Sequence, residues 1–212
     1  MSLDQIFFIG LLLAASVIGL AFIIERGLAL RAAKVMPSEV LSALETCRSA
    51  EDLPMLRRIC QQHPSPLGRL LLLAEKRRHY SRVENAEGLE TAARHEVSRL
   101  ERGLVILEIV VGVAPLLGLL GTVYGLISLF AVLGANGLGE NSTLANGIAL
   151  ALRSTFLGLF TAIPSLVAWS YYTKKVETMA IEMASLCDSF LRQLYHLDDA
   201  SELADAPAGR RS

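Results

Sequence analysis

The sequence predicts an all-α membrane protein with three transmembrane helices, two of them extended into the cytoplasm. Three observations lead there. Charged residues make up only 19% of the 212-residue chain and hydrophobic ones 52%, whereas soluble domains carry about 25% charged residues. Three stretches, residues 6–24, 109–133 and 147–172, have the ~20 mostly apolar residues that crossing about 30 Å of hydrocarbon requires. Finally, of the 20 Lys and Arg, 14 fall between Glu25 and Glu108 and 5 follow Tyr172, with Arg153 alone inside a span. Short loops rich in Lys and Arg stay on the cytoplasmic side. The N-terminus (residues 1–5) and the loop 134–143 contain none, so both are expected on the opposite side.

The first helix, residues 6–24, reads "IFFIGLLLAASVIGLAFII". A cleaved signal peptide would carry basic residues ahead of its apolar core. Here the only early charge is Asp4, and the basic residues follow, so the segment is expected to stay as an anchor. Residues 25–104 then form a cytoplasmic helical segment. Its first half is short helices interrupted at "HPSPLG" (63–68), where two prolines oppose helix continuation. From about Ala86 a stripe of Leu89, Ala93, Val97, Leu100 and Leu104 marks a helix, with Glu90 and Arg94 as an i,i+4 pair. No obvious breaker separates this stripe from the second transmembrane helix (105–133), so one long helix is expected to run through both. The third transmembrane helix (144–172) is expected to continue as a cytoplasmic helix (173–197). Along it Val176, Met179, Met183, Leu186, Phe190, Leu194 and Leu197 form a seam, either for a partner helix or for packing within the same subunit. The tail 198–212 has little to bury and is expected to be disordered.

The second helix contains "APLLGLLGTVYGL" (114–126), an unusual concentration of helix-disfavouring residues in an uncharged run. Lipid supplies no hydrophobic drive for helix association, so close packing through small residues does much of that work. Gly118, Gly121, Thr122 and Gly125 share one face at i, i+3, i+4 and i+7. The third helix has its own small face in Gly147, Ala151, Ser154, Thr155, Gly158, Ala162 and Ser165. Pro115 and Pro164 stand beside these two faces. Counted from Arg102 and Lys174, the hydroxyls of Thr122 and Thr155 fall at about the same height on antiparallel helices, roughly 30 Å from those charges. Each threonine can satisfy itself on the carbonyl four residues back. The matched pair is also consistent with a polar ring inside an oligomeric pore.

Intramembrane charge is functional by default. Glu108, about two turns beyond Arg102, is a candidate contact of an ion path near the cytoplasmic interface. Arg153 is turned off the Thr155 face, to snorkel toward the outer interface or pair with a neighbouring subunit. No carboxylate lies deep in any span, so the chain lacks the protonatable group a proton-driven machine needs. Other chemistries find no support. The three cysteines show no CxxC spacing and the four histidines are scattered, which argues against a disulfide framework or zinc site. The serines, histidines and cysteines form no catalytic grouping, and there is no GxxxxGK[ST] phosphate loop. No cofactor and no enzymatic activity are expected. The "EKRRH" cluster (75–79) has acidic neighbours and no interleaved aromatics, so nucleic acid is not an expected partner.

The pair "APLLGLLGTVYGL" and "GIALALRSTFLGLFTAIPSLVAW" resembles the ExbB/TolQ/MotA proton-channel family, and within it the shorter ExbB/TolQ branch. The likeness covers nearly the whole chain, with residues 114–126 and 147–164 its specific part. The resemblance implies a homopentamer with a central pore in the bacterial inner (plasma) membrane, N-terminus periplasmic and C-terminus cytoplasmic. An ExbD/TolR-like single-span partner would supply a membrane aspartate, and protons crossing at their interface would drive rotation that energises an outer-membrane or envelope process such as transport. Thr122 and Thr155 match the family's pore-lining threonines. Where ExbB-type members carry a glutamate in the third span, this chain has Leu150, with Arg153 close after it. Two other readings stay open. One is a static membrane scaffold, which would keep its activity after the proton gradient is collapsed. The other is a self-sufficient ion channel or transporter, which would pass protons alone in liposomes. The absence of a deep carboxylate argues against the second.

Overall fold

The computed structural model describes residues 3–136 and 141–205, and every regular element among them is helical. The helices are α1 (Leu3–Ala29), α2 (Ala32–Val35), α3 (Ser38–Thr46), α4 (Leu53–Gln62), α5 (Pro66–Lys76), α6 (Arg82–Glu101), α7 (Leu104–Asn136) and α8 (Asn141–Asp205), with one 3-10 turn at Ala50–Asp52. Three of them contain a window long and apolar enough to cross a membrane: Phe7–Ala29, Leu104–Gly134 and Leu144–His196. The chain divides into two compact units, one built from α1 to Leu28 and from Arg102–Thr173, the other from Ala29–Glu101 and the rest of α8.

In the first unit the outward surface is the apolar one. Phe7, Val17, Leu116, Ile127, Phe156, Phe160 and Val167 are all well exposed. A soluble monomer rarely leaves a contiguous apolar patch above a few hundred Å², so this unit is built for lipid. Its interior combines small residues, Ala114, Ala151, Ser154, Ala162 and Ser165, with a few large ones, Leu12, Leu104, Leu107 and Val110. Pro115 and Pro164 lie inside α7 and α8 without ending them. Near Pro164, Thr161 donates to the Leu157 carbonyl (3.0 Å) and Ser165 to the Thr161 carbonyl (2.9 Å), local hydroxyl bonds of the kind that helices use in lipid.

The second unit is an ordinary hydrophobic core. Val40, Leu44, Leu56, Leu67, Leu70, Leu71 and Leu89 form one cluster with Met179, Met183, Cys187, Phe190 and Leu194 of α8. The α8 seam therefore packs within its own chain. The "HPSPLG" break is a helix start: Ser65 caps α5 by accepting from the Gly68 amide at 3.1 Å, and Pro66 opens the first turn, where a proline costs no hydrogen bond. Asn85, fully buried, donates to the Ala74 carbonyl (2.9 Å) and to the Tyr195 hydroxyl (3.1 Å), tying α6 to both α5 and α8. Glu96 on α6 is clamped by Arg69 of α5 at 2.9 and 2.5 Å, with Arg99 at 3.1 Å. The Arg69 guanidinium holds the Glu96 carboxyl below its usual range. The thiols are buried, and desolvation pushes Cys60 up to about 11 and Cys187 up to about 12, so neither is a reactive thiolate at neutral pH.

Two expectations need correction. The helix from the Leu89 stripe into the second span is not continuous: a turn at Arg102–Gly103 separates α6 from α7. The Arg26 side chain lies over Gly103, where a Cβ would meet it. At the other end, α8 runs to Asp205, so residues 198–205 are helical. The expected disorder of 206–212 lies outside the described residues, as do residues 1–2 and the centre of the expected loop, 137–140.

Candidate functional site

The α7–α8 seam is set by glycine. A Cβ added to Gly118 would lie 2.8 Å from the Ser154 carbonyl and 3.1 Å from the Thr155 Cα. One added to Gly158 would lie 2.6 Å from the Ala114 carbonyl and 3.1 Å from the Gly118 Cα. These are backbone contacts, so here the helices touch main chain to main chain. Gly121 meets Ser154, and Gly125 meets Ala151, at 2.8 and 3.0 Å in the same sense. Gly118, Gly121, Gly125 and Gly158 are buried, while Gly147, expected on the same face, is half-buried. Pro115 is half-buried and Pro164 exposed, so the prolines do not make the approach that the glycines make.

At the centre of the seam the two threonines meet. Thr122 Oγ1 and Thr155 Oγ1 are 2.5 Å apart, and either can donate. Thr122 Oγ1 also lies 3.1 Å from the Ala151 carbonyl and 3.2 Å from that of Gly118, while Thr155 Oγ1 lies 3.3 Å from the Gly118 carbonyl. Each hydroxyl has one proton and two lone pairs. Two polarities are therefore possible: Thr155 donates to Thr122, which donates to Ala151, or Thr122 donates to Thr155, which donates to Gly118. Thr122 is 9% exposed and Thr155 is half-buried, so one end of the pair is enclosed and the other is accessible. Such a pair can reorient a bound water or carboxylic acid without leaving a polar group unsatisfied.

Glu108 is exposed on α7, 14 residues before Thr122 and so about 21 Å from it along the helix. The structure does not bring it to the hydroxyl pair. Arg153 is exposed and lines a crevice of about 200 Å³ with Phe8 and Ile9 of α1, Gly121, and Leu150, Ser154 and Leu157 of α8. Among the described residues no group of three or more His, Cys, Asp or Glu is placed to hold a metal.

Sequence reasoning missed how α1 is held. Tyr172 donates to the Ile23 carbonyl at 2.9 Å, and Gly27 leaves the room this needs, since a Cβ there would lie 2.8 Å from the Tyr172 hydroxyl. Gly19 likewise faces Ser165 at 3.0 Å and Val110 at 3.3 Å. No sequence signal singled out these two glycines, because α1 also carries Gly10, Ala14, Ala15, Ser16 and Ala21.

Three apolar helices closed on a glycine seam, with a hydroxyl pair inside it, define a multi-span membrane protein whose polar chemistry lies within its helix bundle. Residues 62–185 match the MotA/TolQ/ExbB proton channel family. The chain belongs to that family, whose members are proton-channel and transport components rather than enzymes. It is 32% identical over 206 residues to the Tol-Pal system protein TolQ of Pseudomonas aeruginosa, covering 89% of this chain and 87% of that protein. It is 33% identical over 105 residues to the biopolymer transport protein ExbB of Aquifex aeolicus, covering 50% of this chain and 70% of that one. An ExbB homolog from Methanothermobacter thermautotrophicus is 33% identical over 145 residues, or 68% of this chain. The match spans about half that relative's length, 51%.

Proposed function

We propose that this chain is the multi-span subunit of a proton-driven motor in the bacterial inner membrane, with its N-terminus periplasmic and its C-terminus cytoplasmic. Five copies surround a pore, and a single-span ExbD/TolR-like partner inside it brings the membrane aspartate this chain lacks. Protons load and leave that carboxyl group past the Thr122–Thr155 pair. The resulting rotation energises an envelope process such as transport. Membership of the proton channel family supports the ion. The observation that carries the reading is the hydroxyl pair itself, whose polarity can reverse inside an apolar seam. With Leu150 and Arg153 on α8, the chain offers no second acid beside the pair, so the protonation cycle rests on the partner's carboxyl group.

The test is proton flux into liposomes containing the chain with its single-span partner. Thr155→Val and Thr122→Val keep the side-chain shape and remove the hydroxyl. Flux is expected to fall about a hundredfold or more, the lower end of what loss of one positioned proton-transfer group produces, while the subunit count is unchanged. Unchanged flux in both variants would remove the hydroxyls from the path. Loss of assembly in either would assign them to helix packing.

A further inference from the structure

The crevice beside Arg153 borders the hydroxyl pair through Ala151, whose carbonyl Thr122 bonds, but its outer walls are built from different chemistry. Phe8 and Ile9 on α1 and Leu150 and Leu157 on α8 make its walls apolar. Among the described residues, Arg153 is the only ionised side chain lining it. Among the side chains described, none forms an ion pair with Arg153. The crevice lies toward one end of the first unit: Phe8 is in the second turn of α1, and Arg26 closes the same helix 18 residues later, about 27 Å away. Side chains on a helix lean toward its N-terminus, so Arg153 extends up α8 in the direction of Leu150 and the nearer end of α1. An arginine so placed snorkels to the headgroup level and leaves its aliphatic stem in hydrocarbon. The site thus offers an oily slot capped by a single cation.

We propose that this crevice holds an anionic phospholipid, with the headgroup phosphate on the Arg153 guanidinium and one acyl chain along Phe8, Leu150 and Leu157. A planar guanidinium takes two phosphate oxygens at once. A zwitterionic lipid offers the same phosphate but with a compensating ammonium beside it. An acyl chain fits walls that no water would wet. The lipid sits where α1, α7 and α8 meet, with Gly121 and Ser154 at its inner wall.

The experiment places a fluorophore at the slot. The native Trp169, the only tryptophan, is changed to phenylalanine and Phe8→Trp is introduced. The full chain is reconstituted in phosphatidylcholine vesicles containing a minority of acyl-brominated lipid, either phosphatidylglycerol or phosphatidylcholine. Brominated phosphatidylglycerol is expected to quench the position-8 fluorophore in preference to phosphatidylcholine, with a relative affinity of about fivefold, the factor for one arginine at an anionic lipid surface. Adding Arg153→Leu is expected to equalise the two lipids, and Arg153→Lys to keep only part of the preference, since an ammonium retains the charge but not the fork. Two results overturn the proposal. One is equal quenching by both lipids in the Arg153 protein. The other is a preference that survives Arg153→Leu, which would trace it to cations elsewhere. If Phe8→Trp disturbs folding, judged by helical circular dichroism, the same comparison is made with Leu157→Trp.

Discussion

At Gly118 and Gly158 a single hydrogen decides how close two helices come. A methyl at position 158 would lie 2.6 Å from the Ala114 carbonyl, and backbone has no rotamer with which to yield. Gly158→Ala should therefore destabilise the protein by about 1–3 kcal/mol, as overpacking does. Gly112→Ala is the matched control, because a Cβ there meets nothing within 4 Å. Thermal unfolding in one detergent would compare them: a markedly lower midpoint is expected for Gly158→Ala only. Equal midpoints would mean that the seam opens without penalty. These glycines were legible in the sequence because their spacing repeats that of one helix face. The register of the two threonines was legible too, from the distance of each to the basic residue flanking its span on the cytoplasmic side, Arg102 and Lys174. Gly19 and Gly27 were not, since glycine is common in membrane helices and their partners, Ser165 and Tyr172, lie more than a hundred residues away in the chain.

Between elements, the best-defined polar contact is the clamp of Arg69 on Glu96, which joins α5 to α6. Glu96 is only 7% exposed, whereas the Arg69 side chain remains 45% exposed. Removing the arginine leaves a largely buried carboxylate with Arg99 alone. Arg69→Met should cost about 1–2 kcal/mol, less than the 3–5 of a fully buried pair because half of this one is already in water. The pH dependence has a definite sign. Arg69 lowers the carboxyl's pKa in the folded chain from its ordinary 4.5, so the clamp's contribution is complete above that value and is lost as pH falls through the lowered one. Protection factors in α5 and α6, corrected for the acid-slowed intrinsic exchange rate, should fall below pH 4.5 in the parent, and this acid-induced loss should shrink in Arg69→Met. An identical acid response in both would show that other carboxyl groups control it. The α6 helix was readable from apolar spacing, and the prolines of "HPSPLG" marked an interruption, though not that Ser65 caps a new helix there. The break at Arg102–Gly103 was not, because one glycine in a helical pattern is tolerated as often as it interrupts, and the Arg26 side chain that fills its space comes from α1.

For the molecule as a whole, the question is which surface is left for other copies. The α8 seam was open in the sequence to either a partner helix or its own subunit, since periodicity fixes a buried face but not what buries it. Met179, Met183, Phe190 and Leu194 are now in the chain's own core, so that seam is no longer available for assembly. The large apolar side chains left exposed are concentrated in α1, α7 and the part of α8 before Thr173. Copies should therefore associate through these lipid-level faces, by packing rather than by charge. Native mass spectrometry of the gently solubilised protein is expected to give about five copies of the 23.0 kDa chain. Raising the ionic strength should leave that number unchanged, because salt screens exposed charges and not apolar contacts. Dissociation by salt would move the interface to the polar unit. A monomer under gentle conditions would leave no ring for the accessible edge of Thr155 to line. The hydroxyl pair would then serve only the glycine seam that encloses it.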